Sequence, residues 1–81
     1  MNTKDRLKKL VMDELDVSDE MINNKSRFVE DLGADKLDCV ELIIAIEAEF
    51  GLAIEDADAE RLLTFGDALE YIERRLSNKD D

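Results

Sequence analysis

Residues 28–50 read FVEDLGADKLDCVELIIAIEAEF. Glu30, Asp31 and Gly33 lead into Asp35-Lys36-Leu37-Asp38, and a long apolar segment studded with carboxylates follows. Gly33 and Ala34 suit a turn, Asp35 is placed to cap a helix, and Gly51 suits the left-handed residue that ends one. The predicted helix therefore runs from the Asp35 cap to about Phe50. Leu37, Val40, Ile43, Ile44 and Phe50 are its expected buried positions, with Leu42 and Ile46 widening the apolar surface. Its acids are Asp35, Asp38, Glu41, Glu47 and Glu49, and Lys36 is its only base. Asp38 and Glu41, three residues apart, share one side.

On the N-terminal side, Leu7, Leu10, Val11 and Leu15 recur at helical spacing and predict a helix from Thr3 or Lys4 to Leu15, with Thr3 as its cap. Val17 and Met21-Ile22 then open a long connection, which Phe28, Val29 and Leu32 are expected to pin to the core. On the C-terminal side, Leu52 and Ile54 form a short apolar connector, and residues from about Asp56 to Arg61 form a short helix. Thr64 and Asp67 have capping-box spacing for a last helix, about Phe65 to Leu76. Ala68, Leu69, Ile72 and Leu76 are its apolar side, with Tyr71 at the margin. No stretch keeps a strand's two-residue period. The expected class is all-α: a small four-helix bundle of three main helices and one short third helix, with a long first loop. Residues 1–76 make one domain and 77–81 a frayed tail.

Composition removes several function classes. The chain has 81 residues, one cysteine and no histidine, so no intrachain disulfide forms, and the commonest general base and metal ligand is missing. Eleven basic against twenty-two acidic residues give a net charge of −11. That charge disfavours nucleic acid and anionic membranes, and favours basic protein partners met in fast, salt-sensitive encounters. No apolar run is long enough to span a bilayer and no signal-peptide pattern precedes the first helix, so no membrane insertion and a cytoplasmic location are expected. Asp56, Asp58, Glu60 and Asp67 are crowded carboxylates, but a calcium loop starting at Asp56 would want glycine where Arg61 stands, and no metal is expected. No nucleophile elbow or glycine-rich phosphate loop supports an enzyme.

Across roughly residues 3 to 76 the order of elements and the landmarks resemble acyl carrier proteins. The landmarks are Phe28, the Glu30-Asp31-Leu32-Gly33-Ala34-Asp35 approach, Leu37-Asp38, Val40-Glu41-Leu42, Glu47, Glu49-Phe50, Ile54, Ala59, Thr64 and Tyr71-Ile72. The resemblance implies a non-catalytic shuttle for fatty-acid, polyketide or related acyl chains. In the family, a phosphopantetheinyl transferase moves phosphopantetheine from coenzyme A to the serine of an Asp-Ser-Leu triplet. Here Asp35 and Leu37 flank Lys36 instead. By the same resemblance, Asp35, Asp38, Glu41 and Glu47, extended by Asp56 and Glu60, would dock onto basic patches of synthesis enzymes. Val40, Ile44, Ile54 and Leu62 would line an acyl cavity, and a monomer is expected.

An amine cannot form the phosphodiester that a serine hydroxyl forms, and a protonated lysine is not a nucleophile. The cofactor 4'-phosphopantetheine is thus expected in a serine-bearing parent form and not on this chain. Ser18, Ser26 and Ser77 lack the Asp-x-Leu setting. Three explanations stand for Lys36: a laboratory substitution that locks the unmodified form, a natural divergence to a carrier-like interaction module without an acyl arm, or a neutral surface change. A cation in a helix's first turn opposes the macrodipole by ~0.3–1 kcal/mol, which Asp35 and Asp38 offset in part. Cys39, one turn beyond Lys36, reads as a small packing residue.

Overall fold

The computed structural model describes residues 2–79, with side chains as far as Ser77. Four helices follow in order: α1 (Thr3–Leu15), α2 (Lys36–Phe50), α3 (Asp56–Ala59) and α4 (Phe65–Lys79). A single 3-10 turn, Asp19–Met21, interrupts the long first loop. Among the described residues there is no strand, only an isolated antiparallel bridge between Arg27 and Thr64. The all-α bundle expected from periodicity is the fold.

The cap of α1 is Asn2, not Thr3. The Asn2 side chain accepts a hydrogen bond from the Asp5 amide at 2.8 Å, and Thr3 is already the first helical residue. Asparagine reaches the third amide with the same geometry as threonine and caps more strongly. The helix ends at Asp16, whose φ of 54° is left-handed, a conformation short polar side chains tolerate. At the other flank, Arg6 donates to the Glu49 carboxylate and to the Glu49 carbonyl, both at 2.9 Å, and lies 4.6 Å above the Phe50 ring. A cation is thereby held at the C-terminal end of α2, where the helix dipole favours it.

The last helix has the expected start: the Asp67 amide donates to Thr64 Oγ1 at 3.0 Å and the Thr64 amide to Asp67 Oδ2 at 3.2 Å. It runs to Lys79, past the expected end at Leu76, so Ser77–Lys79 are helical, while Asp80 and Asp81 of the expected tail lie outside the described residues. The short helix stops at Ala59 rather than Arg61. Beyond Asp56–Ala59 the backbone bonds tighten, with the Arg61 amide on the Asp58 carbonyl and the Leu62 amide on the Ala59 carbonyl, a 3-10 pattern that ends an α-helix.

The core gathers Leu7 and Val11 of α1, Leu42, Ile46 and Phe50 of α2, and Phe65, Ala68, Leu69 and Ile72 of α4, joined by Ile22, Phe28 and Leu32 from the first loop. Val29, expected to help pin that loop, is exposed. The loop is secured by backbone bonds instead. The Phe28 amide donates to Leu63 O at 3.0 Å, the Phe65 amide to Ser26 O at 2.9 Å, and the Gly66 amide to Asn24 O at 2.9 Å. Two of the amides that α4 leaves without intrahelical partners are thus satisfied by loop carbonyls. Ser26 is buried, its hydroxyl donating to Met21 O and accepting from the Asn23 amide, both at 2.9 Å.

Candidate functional site

The start of α2 is built by two aspartates. The Asp38 amide donates to Asp35 Oδ1 at 2.7 Å, and the Asp35 amide donates to Asp38 Oδ2 at 3.1 Å. This reciprocal box fixes the first turn and places Lys36, the first helical residue, in solvent. Among the described residues Lys36 forms no ion pair, although Asp35 and Asp38 flank it in sequence. The carboxylates keep the amides instead, and the amine is free to meet something external.

The phase of α2 differs from the sequence-based expectation. Leu37, Val40 and Ile44 are 64%, 50% and 59% exposed, whereas Leu42, Ile46 and Phe50 are buried. Both sets recur at helical spacing, so α2 carries two apolar stripes on opposite sides, and periodicity alone could not say which faces inward. The outward stripe rises from Lys36 and is bordered by Asp38 and Glu41. Val40 and Ile44, expected in the cavity, therefore lie on the surface. Ile54 is buried in the core, and Leu62 lines the cavity.

That cavity, of about 200 Å³, lies between α2 and the α3 segment. Cys39, Leu42, Ile43 and Ile46 form its α2 wall; Ala59, Glu60, Leu62 and Leu63 form the opposite one; Phe28, Val29 and Ala68 complete it. An open groove of about 410 Å³ adjoins it, with Lys36, Val40 and Asp56 at its rim and Cys39, Ile43, Ala59 and Glu60 shared with the cavity. A path of mostly apolar lining thus runs from the exposed start of α2 towards the core. Cys39 and Ile43, central to this path, were read from sequence as packing residues. No signal in the sequence alone separated them from the rest of the apolar set.

Burial pushes the Cys39 thiol above its ordinary range, and the Asp38 and Asp35 charges push it further the same way. The thiol is therefore a weak nucleophile at neutral pH. The acids expected on one docking face divide. Asp35, Glu41, Asp56 and Glu60 are exposed and Asp38 half-buried, while Glu47 Oε2 accepts the Ile54 amide at 2.7 Å and so braces the connector after α2. Among the described residues no cluster of three or more metal-type side chains occurs, and no helix is long and apolar enough to cross a membrane.

A group joined through a phosphate ester needs a hydroxyl, and the first turn of α2 offers Lys36, Leu37 and Asp38. Covalent phosphopantetheine does not fit this turn. Ser26 is buried with its hydroxyl committed to the loop backbone, Ser18 precedes the 3-10 turn, and Ser77 lies near the end of α4.

A family model described as "Phosphopantetheine attachment site" matches residues 5–72. The chain is 47% identical over 75 residues to the acyl carrier protein of Nitratidesulfovibrio vulgaris strain Hildenborough, a match covering 93% of this chain and 99% of the relative. The acyl carrier protein of strain Miyazaki F matches equally, at 47% over 75 residues, 93% of this chain and 99% of the relative. Together with the helical bundle, these matches show that the chain belongs to the acyl carrier protein family of non-catalytic carriers built around a phosphopantetheine attachment site.

Proposed function

We propose that the chain is a carrier scaffold of fatty-acid or related acyl-chain synthesis that docks partner enzymes through α2, with Lys36 standing at the attachment position and holding the protein without its arm. The observation that carries this reading is the outward face of α2. Leu37, Val40 and Ile44 form an exposed apolar stripe, and Asp35, Asp38 and Glu41 border it with negative charge. A domain this small gains no stability from apolar side chains left in water, whereas a partner with an apolar socket ringed by arginine and lysine would bury the stripe and neutralise its border. Asp56 and Glu60, exposed across the groove, extend that border; Glu47, turned to the Ile54 amide, contributes less to it.

A second reading, an interaction or regulatory module that never carries an acyl arm, is favoured by one observation: the unpaired ammonium of Lys36 at the head of the stripe. Intact-mass spectrometry after incubation with coenzyme A and a broad-specificity phosphopantetheinyl transferase separates the two, run on this chain and on Lys36→Ser in parallel. Mass gain by the serine variant alone supports the blocked-carrier reading. Gain by the parent chain overturns the assignment of Lys36. Gain by neither places the interaction module first.

A further inference from the structure

One wall of the cavity is weakly built. The short helix α3 contains no buried residue and its start has no side-chain cap, yet Ala59 and Glu60 beside it close the cavity opposite Cys39 and Ile43. Besides the packing of Ala59 on the core and the Glu47 bond to the Ile54 amide, a chain of side-chain hydrogen bonds ties this segment to α4. Tyr71 of α4 donates its hydroxyl proton to Asp58 Oδ2 at 2.9 Å. Arg75, one turn further along α4, donates to the Tyr71 hydroxyl oxygen at 2.6 Å and to the Ala53 carbonyl at 3.0 Å. The same guanidinium lies 5.5 Å from the centre of the Tyr71 ring. Residues on both sides of α3, Ala53 before it and Asp58 within it, are thus hung from one face of α4. Each bond in the chain involves a charged partner, which makes it stronger than a neutral pair.

We propose that Asp58, Tyr71 and Arg75 form a latch that sets how often α3 swings away from α2 and opens the cavity. Tyr71 is the pivotal group, because its hydroxyl is at once donor to Asp58 and acceptor from Arg75. Segments with little buried apolar area open locally at small free-energy cost, and a charged hydrogen bond is a large fraction of that cost. Removing it should raise the open population roughly fivefold while the α1–α4 core stays folded. The inference rests on the cavity wall alone and holds whatever the cavity receives.

Cys39 is the chain's only cysteine, is half-buried, and lines both the cavity and the adjoining groove, so its alkylation quickens over the closed-state rate when Ala59 and Glu60 move away. The experiment is the rate of Cys39 alkylation by N-ethylmaleimide, a neutral reagent that the acidic surface does not repel, in the parent chain, Tyr71→Phe, Asp58→Ala and the double variant. The latch predicts that each single variant reacts faster, by up to roughly fivefold, and that the double variant reacts no faster than either. Asn2→Ala removes the cap of α1, away from both the latch and the cavity lining, and should react at the parent rate. Hydrogen exchange at the Ala59, Glu60 and Leu62 amides should quicken in Tyr71→Phe, with the amides of α1 unchanged. Equal alkylation rates in parent and latch variants would overturn the proposal. So would an equal acceleration in Asn2→Ala, because the thiol would then be reached through global unfolding.

Discussion

Two stretches of irregular chain pack against α4, and they are held in opposite ways. The first loop is fastened by backbone: the Phe65 and Gly66 amides reach Ser26 O and Asn24 O, Phe28 reaches Leu63 O, and Ile22, Phe28 and Leu32 bury their side chains. The α3 segment is hung by side chains, through Asp58, Tyr71 and Arg75, and buries little of its own. Backbone bonds shielded by apolar packing leave few ways to open, whereas an edge held by partly exposed polar side chains opens at small cost. One bundle can therefore keep a fixed frame on one side and a yielding cavity wall on the other.

The sharpest way to break this contrast is at Gly66. A Cβ there would sit 2.6 Å from the Asn24 carbonyl oxygen, and the obstructing atom is backbone that cannot rotate aside. Gly66→Ala should cost about 3 kcal/mol, since the seam must part to admit the methyl group. Urea unfolding would read this as a lower midpoint with unchanged slope. A variant as stable as the parent would mean that the loop yields as easily as α3. Next comes Ser26→Ala, which strands the Asn23 amide and the Met21 carbonyl beside a buried site. A loss of about 1.5 kcal/mol is expected in the same assay. Tyr71→Phe should cost less, about 1 kcal/mol, because the ring stays and water can solvate the freed Asp58 and Arg75 groups. A loss larger than that of Ser26→Ala would show that the α3 edge carries the fold after all.

Where the sequence was legible, the signal was local chemistry. Asp35 with Asp38, Thr64 with Asp67, and Gly51 after Phe50 each state a helix boundary through atoms only a few residues apart, and each boundary stands where it was read. Family membership was legible too, from landmarks spaced along nearly the whole chain. What local chemistry could not supply was the rotation of α2. Leu37, Val40 and Ile44 are as apolar as Leu42 and Ile46, and only the arrangement of α1, α4 and the first loop decides which stripe is covered. Glu47 shows the same limit: its spacing marks it as one of a row of acids, and its bond to the Ile54 amide exists only once the chain folds back after Gly51. The Tyr71 network, joining residues from three segments, had no local trace at all.

The smallest expected effect tests the fastened side where it meets water. The Arg27 amide donates to Asp31 Oδ2 at 2.8 Å and the Arg27 guanidinium stands 3.5 Å away, so Asp31 looks like part of the seam. Its carboxyl is held below the ordinary value of 3.8, first by the Arg27 amide and then by the Arg27 charge, with desolvation opposing. A carboxyl lowered on folding stabilises the native state at pH above its unfolded value, and that contribution disappears as pH falls through the folded value. Absolute stability will obscure this, because protonating the other acids of a chain of net charge −11 also relieves their mutual repulsion. The difference between the parent chain and Asp31→Asn removes that background. The gap should be small and constant at neutral pH, begin to close below the ordinary carboxylate range, and vanish at more acid pH; added salt should shrink only the guanidinium part. A gap as large as that of Ser26→Ala would mean that exposed bonds fasten this loop as firmly as buried ones. A gap well below that of Ser26→Ala would place the strength of the seam in its buried backbone bonds.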